Sequence, residues 1–211
     1  MVEISKSNIP ISEGRLQRAS QNQEAYISKF RQVLLRHGLT MSLICFGCVL
    51  FPSVLVALLS SIDNLFLNIN RYALASLGLG LFMFLYLRFT SRKINYRQIF
   101  WIGYLFLISI VEEIGFRLSL PILFSEFFFK EYSFLIGIVL SNLLFASLHY
   151  FTLRWKLKAC IFTFLGGIGL SRLLYETGDI TLVVMVHLVV TFLNTPSAPE
   201  QVNTEYQKNL S

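Results

Sequence analysis

The sequence predicts an all-α polytopic membrane protein, a bundle of about six transmembrane helices preceded by a cytoplasmic amphipathic N-terminal segment. Three observations predict it. Hydrophobic residues make up 55% of the chain and charged residues 14%, against roughly 25% charged in an ordinary soluble domain. The apolar residues gather into runs near the length of about 20 that a helix needs to cross a bilayer. The cations cluster beside alternate runs, the pattern by which short basic loops stay on the cytoplasmic side.

The first 38 residues carry Lys6, Arg15, Arg18, Lys29, Arg31 and Arg36. They are too long and too polar for a cleaved leader, so the first span is expected to stay in the mature protein. Within them Tyr26, Ile27, Phe30, Val33 and Leu34 recur at helical spacing. That pattern suits a short helix on the cytoplasmic membrane surface, or equally a solvated linker helix.

The expected spans are 39–61, 72–87, 99–120, 132–150, 157–175 and 180–194. Pro52 kinks the first of them, as transmembrane helices tolerate. Arg88, Arg92, Lys93 and Arg97 follow the second span, and Arg154, Lys156 and Lys158 follow the fourth. The alternate loops hold little but Asp63, Arg71, Glu126, Lys130, Glu131, Glu176 and Asp179. This asymmetry places both termini in the cytoplasm of an integral multi-pass protein, with a bacterial-type plasma membrane as the expected location. The net charge of +6 then belongs to the inner face, with membrane lipid rather than nucleic acid as the partner. After Asn194 the chain is polar and holds Pro196 and Pro199, which predicts a disordered tail. The organisation is therefore 1–38, a basic segment; 39–194, a transmembrane domain; and 195–211, a polar tail. Cys45 and Cys48 form a CxxC inside the first span without a second pair or polar setting, so they read as packing residues; Cys160 is alone.

Ionisable groups inside a membrane are functional candidates by default. Here they are Glu112, Glu113 and Arg117 in the third span, His149 in the fourth, Arg172 in the fifth and His187 in the sixth; His37 is expected outside the spans. Glu113 and Arg117 are four residues apart and share a helix face, while Glu112 points about 100° away. Glu113 is thus expected to be neutralised by Arg117, and Glu112 to be left free to act as a general base. At 1.5 Å per residue, Glu112 lies about 20 Å, His149 about 8 Å and His187 about 14 Å from the cytoplasmic ends of their helices. All three can line one cavity, suited either to activating a water or to holding a transition metal. Arg172 is expected to snorkel or to meet Glu176 four residues on. Gly137 with Ser141, and Gly167 with Ser171, have the small-xxx-small spacing of close helix contacts, and Asn142 is expected to make an interhelical hydrogen bond.

These residues carry a resemblance. Glu112-Glu113-x-x-x-Arg117 resembles the EExxxR motif of the CAAX-protease and bacteriocin-processing (CPBP, or Abi) family of intramembrane proteases, and Phe145–His149 resembles its FxxxH motif. The glycine-bearing run that leads through Tyr175–Gly178 to His187 is similar to the family's YxxTG turn and last histidine. The ordered set covers about 99–194, the protease-like core. One position departs: where the family has HxxxN, this chain has Thr191.

The resemblance implies a membrane-embedded endopeptidase acting on a peptide or lipidated protein. In it Glu112 activates water, His149 orients that water, Glu113 with Arg117 holds the third helix in register, and His187 with Thr191 stabilises the oxyanion. It leaves the cofactor open, between zinc held by Glu112, His149 and His187 and a glutamate-type site without metal. The alternative from another class is a non-catalytic member of the family, an immunity or scaffold protein or a proton-linked transporter subunit, since buried Glu and His also serve as proton relays.

Overall fold

The computed structural model describes residues 30–92, 94–127 and 133–198, and these fold as seven helices without a strand. In chain order they are α1 (Phe30–Val49), α2 (Pro52–Leu67), α3 (Ile69–Phe89), α4 (Tyr96–Glu126), α5 (Ser133–Thr152), α6 (Leu157–Thr177) and α7 (Ile180–Asn194). Among the described residues α1, α3, α4, α5 and α6 are long and apolar enough to cross a membrane, and α2 and α7 are shorter apolar helices. Many large apolar side chains point outward, among them Phe46, Leu74, Leu77, Phe89 and Phe162. In water such a surface would be a liability, and in lipid it is the ordinary exterior.

The largest departure from expectation concerns the first span. Its described part runs from Phe30 to Val49, and the remainder of 39–61 belongs to a separate helix. Pro52 is the reason. Phe51 is extended (φ −79°, ψ 132°) and Pro52 takes the first helical position of α2, where its missing N–H leaves no bond unmade. Pro52 therefore starts a new helix rather than kinking an old one. The early start has its own cause: Arg36 points outward from α1, so its charge does not interrupt the buried face formed by Val33 and His37.

Val33 lies in the main core cluster, and Phe30 sets its ring edge-on against Trp101 and Tyr104, each at 5.6 Å. These two residues thus pack inside the bundle instead of on a membrane surface. Tyr26 and Ile27 lie outside the described residues.

α1 and α4 run parallel, with Phe30 beside Trp101, His37 beside Glu112 and Cys45 beside Gly115. At the far end Ala57 and Leu58 of α2 pack on Leu118, Leu174, Ile180 and Val183. Tyr72, at the start of α3, donates a hydrogen bond to Asp179, which caps α7 by accepting from Leu182 N at 3.0 Å. The chain therefore enters and leaves α2 at the same end of the bundle. The remaining helices alternate direction, so α2 adds no crossing to the expected six.

Gly178 ends α6 with φ +63°, and its N–H bonds Leu174 O at 2.7 Å, the left-handed conformation in which glycine meets no steric cost. The expected turn at Tyr175–Gly178 is this cap.

Small residues bring α5 and α6 close enough to position the site. A Cβ on Gly137 would come within 2.7 Å of Pro121 O, and Ser141 donates to Phe116 O at 2.5 Å, which seats α5 on α4. A Cβ on Gly167 would fall 2.0 Å from Asn142 Oδ1, and Asn142 Nδ2 donates to Ser171 Oγ at 2.9 Å. That is the expected interhelical bond, between α5 and α6. Arg172 meets Glu176 at 2.7 Å on the exposed face of α6. All three cysteines are free.

Residues 195–198, expected to be disordered, are held against the start of α4. Gln98 donates to Pro196 O at 2.7 Å and accepts from Ala198 N at 3.1 Å, and Trp101 Nε1 donates to Thr195 O at 2.8 Å. Trp101, which reads in sequence as a span residue, and Gln98 just before that span instead satisfy the backbone that leaves α7. The tail beyond 198 lies outside the described residues.

Candidate active site

Two π-helical turns frame the site. Leu34–Gly38 lies within α1 and carries His37; Ile114–Ser119 lies within α4, directly after Glu112 and Glu113, and carries Arg117. Such turns widen the helix by one residue and are frequent at functional positions. Here the first is seated where Gly38 packs under Tyr104, whose Cε2 would stand 3.3 Å from an added Cβ.

Glu112, Glu113 and Arg117 are all buried. Glu113 faces two partners: its Oε1 accepts from His187 Nδ1 at 2.5 Å, and its Oε2 lies 3.4 Å from Arg117 Nε. The expected Glu113–Arg117 pair is present, and a cross-helix bond to α7 joins it. The Arg117 guanidinium also lies over the Phe145 ring, 3.9 Å from its centroid, a contact of cation–π type. Phe145 also meets His149 edge to face, with ring centroids 4.4 Å apart, so the first residue of the FxxxH motif contacts both the arginine and the histidine.

Glu112 is not free. Its Oε1 is 2.7 Å from His37 Nε2 and 3.8 Å from His149 Nε2, and its Oε2 is 3.5 Å from His187 Nε2. Three imidazoles from three different helices turn the same nitrogen toward one carboxylate. Each has its other nitrogen engaged. His149 Nδ1 donates to Phe145 O at 2.9 Å, His187 Nδ1 to Glu113, and His37 Nδ1 to Thr152 Oγ1 at 3.0 Å.

A cavity of about 520 Å³ opens beside this cluster, and Glu112, His149, His187, Arg117 and His37 all line it. Thr191 lines it as well, one turn beyond His187, as does Asn194. Trp155 stacks near His149 at 4.7 Å, and Phe162, Leu170 and Leu173 of α6 give the remaining wall an apolar character. An apolar cavity with a few convergent polar groups is the usual form of a ligand site.

Zinc would need the expected set of Glu112, His149 and His187. The donor atoms that group most tightly are instead those of His37, Glu112 and His149, all within 4.8 Å of one another. In that group His37 and Glu112 stand 2.7 Å apart, closer than the roughly 3.3 Å between two ligands of a tetrahedral zinc ion with bonds near 2.0 Å. They are bonded to each other rather than spread around an ion. That set as it stands does not fit zinc; in the expected set Glu112 stands 3.8 and 3.5 Å from His149 and His187, and those three residues would hold a zinc ion, which would supply polarisation of the attacking water.

The sequence reading placed Glu112, His149 and His187 on one cavity, and they line one here together with Arg117 and Thr191, while Glu113 lies behind the wall against Arg117 and His187. His37 and Thr152 were missed. The available signal was the apolar run that precedes Arg36, which allows a span to begin at Phe30 and so places His37 inside the membrane.

Among known proteins, a family model described as type II CAAX prenyl endopeptidase Rce1-like matches residues 95–193. No curated protein and no solved structure matches. The matched segment begins just before α4 and ends within α7, so it includes the six expected residues and excludes α1 with His37.

Proposed function

Because residues 95–193 belong to the Rce1-like type II CAAX prenyl endopeptidase family, in agreement with the CPBP resemblance of the motifs, we propose that this protein is an intramembrane endopeptidase that hydrolyses a peptide bond in a membrane-associated or lipidated peptide. The observation that carries the reading is the set of Glu112, His149 and His187 on the wall of one apolar cavity.

The chemistry follows from the positions. A water beside Glu112 and His149 gives a proton to the Glu112 carboxylate while its oxygen attacks the carbonyl carbon of the scissile bond. His149 accepts a hydrogen bond from the water through Nε2, its tautomer set by the Nδ1–H bond to Phe145 O, and so orients the water. The carbonyl oxygen becomes an oxyanion; Thr191 donates its hydroxyl to it, and His187 donates from Nε2 as an imidazolium whose Nδ1–H stays on Glu113. Glu112 then passes its proton to the leaving nitrogen as the C–N bond breaks. Glu113 keeps His187 oriented through Nδ1 and balances Arg117.

The substrate test is a comparison of membrane peptides in cells that carry the wild-type protein or the Glu112→Gln variant. Peptides that accumulate with the variant, and are trimmed with the wild type, are substrates; identical peptide sets would contradict the reading.

Thr191 is tested separately. Thr191→Val keeps the shape and deletes the hydroxyl, and turnover is expected to fall by about 10²–10³-fold, the usual loss for one oxyanion donor. Thr191→Asn restores a longer amide donor on the same face and is expected to match or exceed the parent. Unchanged turnover with Val, alongside its loss in His187→Ala, would leave His187 as the donor without Thr191. Failure of both wild type and Thr191→Asn to cleave any peptide would favour the non-catalytic alternative.

The same reading places both termini in the cytoplasm of a bacterial-type plasma membrane, with the site opening in the inner half. A reporter fused after Lys93 is expected to read cytoplasmic, and one inserted between Gly178 and Ile180 external. The reverse at either site would contradict the proposed orientation.

A further inference from the structure

The geometry points to His37 as a positioning residue of this site: it holds Oε1 of Glu112, fixes the plane of the carboxylate, and leaves Oε2 as the oxygen that takes the proton from water. This deepens the proposed function and rests on it.

Of the imidazoles that face Glu112, His37 alone is within hydrogen-bond distance. Its Nε2 is 2.7 Å from Oε1, whereas His149 and His187 stand at 3.8 and 3.5 Å, too far for a good bond. The Glu112 carboxylate therefore takes its orientation from α1, a helix outside the family-matched segment. Oε2 has no donor nearer than His187 Nε2 and is the oxygen open to a water.

His37 is itself held at its far nitrogen. Thr152 gives its own hydroxyl proton to Leu148 O at 2.6 Å, so at His37 Nδ1, 3.0 Å away, it accepts. Nδ1 then carries a proton, and the contact between Nε2 and Oε1 requires another between those atoms. The hydrogen bonds run from Thr152 through His37 to Glu112 and tie α5, α1 and α4 together. Thr152 lies one turn beyond His149 on the same helix, so the residue that orients the water and the residue that anchors His37 move as one body. The rings of His37 and His149 meet edge to face at 4.7 Å.

A purely structural role explains these features less well. An imidazole in an apolar interior is costly unless both nitrogens are bonded, and an aliphatic residue would fill the same space beside His149. The π turn Leu34–Gly38 rotates His37 onto the face that meets Glu112, an irregularity that packing alone does not require.

The test uses the full-length protein in lipid vesicles with a quenched fluorescent peptide that ends in a farnesylated CAAX sequence. His37→Ala is expected to lower kcat by about 10²-fold, the loss that follows a displacement of about 1 Å at a reacting group, with KM changed by less than about threefold. Added imidazole is expected to restore part of that kcat, because His37 lines the cavity. His37→Gln, whose amide N–H reaches Oε1, is expected to retain more activity than Ala. Thr152→Val is expected to lower kcat in the parent and to have no further effect in the His37→Ala background, since it acts only through His37. If His37→Ala does not accumulate, His37→Gln and Thr152→Val carry the comparison. Parental kcat in the folded His37 and Thr152 variants, with Glu112→Gln inactive, overturns the inference and leaves the proposed function standing. Cleavage by Glu112→Gln at the parental rate, or none by the parent, overturns both.

Discussion

Replacing Glu113 by Gln is expected to cost the protein its stability before it costs it chemistry. Glu113 is fully buried and holds two cationic or donor groups at once, His187 on α7 and Arg117 within its own helix. Gln keeps the volume and removes the charge. Arg117 is then a buried guanidinium with only the Phe145 ring for compensation, and breaking one side of a buried ion pair costs about 3–5 kcal/mol. Arg117 Nη1 already has no hydrogen-bond partner among the described residues. The expected result is poor accumulation in the membrane or a marked fall in thermal midpoint, measured by the temperature at which the detergent-solubilised protein aggregates. A normal midpoint would contradict the structural weight placed on the pair.

Glu112→Gln is expected to do the opposite, with normal accumulation and no proteolysis. The Gln amide is the same size as the carboxylate, and its oxygen still accepts from His37 Nε2 at the Oε1 position. What disappears is the ability to take a proton from water and return it to the leaving nitrogen. General-base catalysis contributes about 10²–10⁴-fold, and here the same group serves both steps, so the residual rate is expected to fall below detection. Two adjacent glutamates thus separate by phenotype, one failing in stability and one in turnover. Their positions on the helix explain the division: Glu113 looks toward Arg117 and His187, and Glu112 looks into the cavity.

Much of this site was legible in the sequence because charges in an apolar run are rare and their spacing survives folding. The i,i+4 relation of Glu113 and Arg117, the convergence of Glu112, His149 and His187, the close approach at Gly137 and Gly167, and the Asn142 bond all follow from helix periodicity and the cost of burying polar groups. What was not legible depends on how helices rotate against one another. No spacing rule places His187 Nδ1 on Glu113, because that bond joins residues 74 positions apart. His37 was set outside the membrane because Arg36 beside it looked like the end of a span, when an arginine on the outward face of α1 leaves the inward face unbroken. Pro52 was read as a kink because length alone favoured one long span; the extended Phe51 before it shows that the chain turns there. The hold of Gln98 and Trp101 on residues 195–198 involves backbone carbonyls, which sequence patterns do not mark.

In the proposed mechanism Glu112 drives the attack of water on a peptide bond, and heavy-oxygen water makes that attack visible in the product. The purified wild-type protein and Glu112→Gln are reconstituted side by side in vesicles with a peptide from the accumulation experiment, and the products are weighed by mass spectrometry. The wild type is expected to release a fragment whose new carboxyl terminus carries one heavy oxygen from water, while Glu112→Gln, present in equal amount and equally folded, is expected to release none. The same labelled fragment at the same rate from both proteins would contradict it.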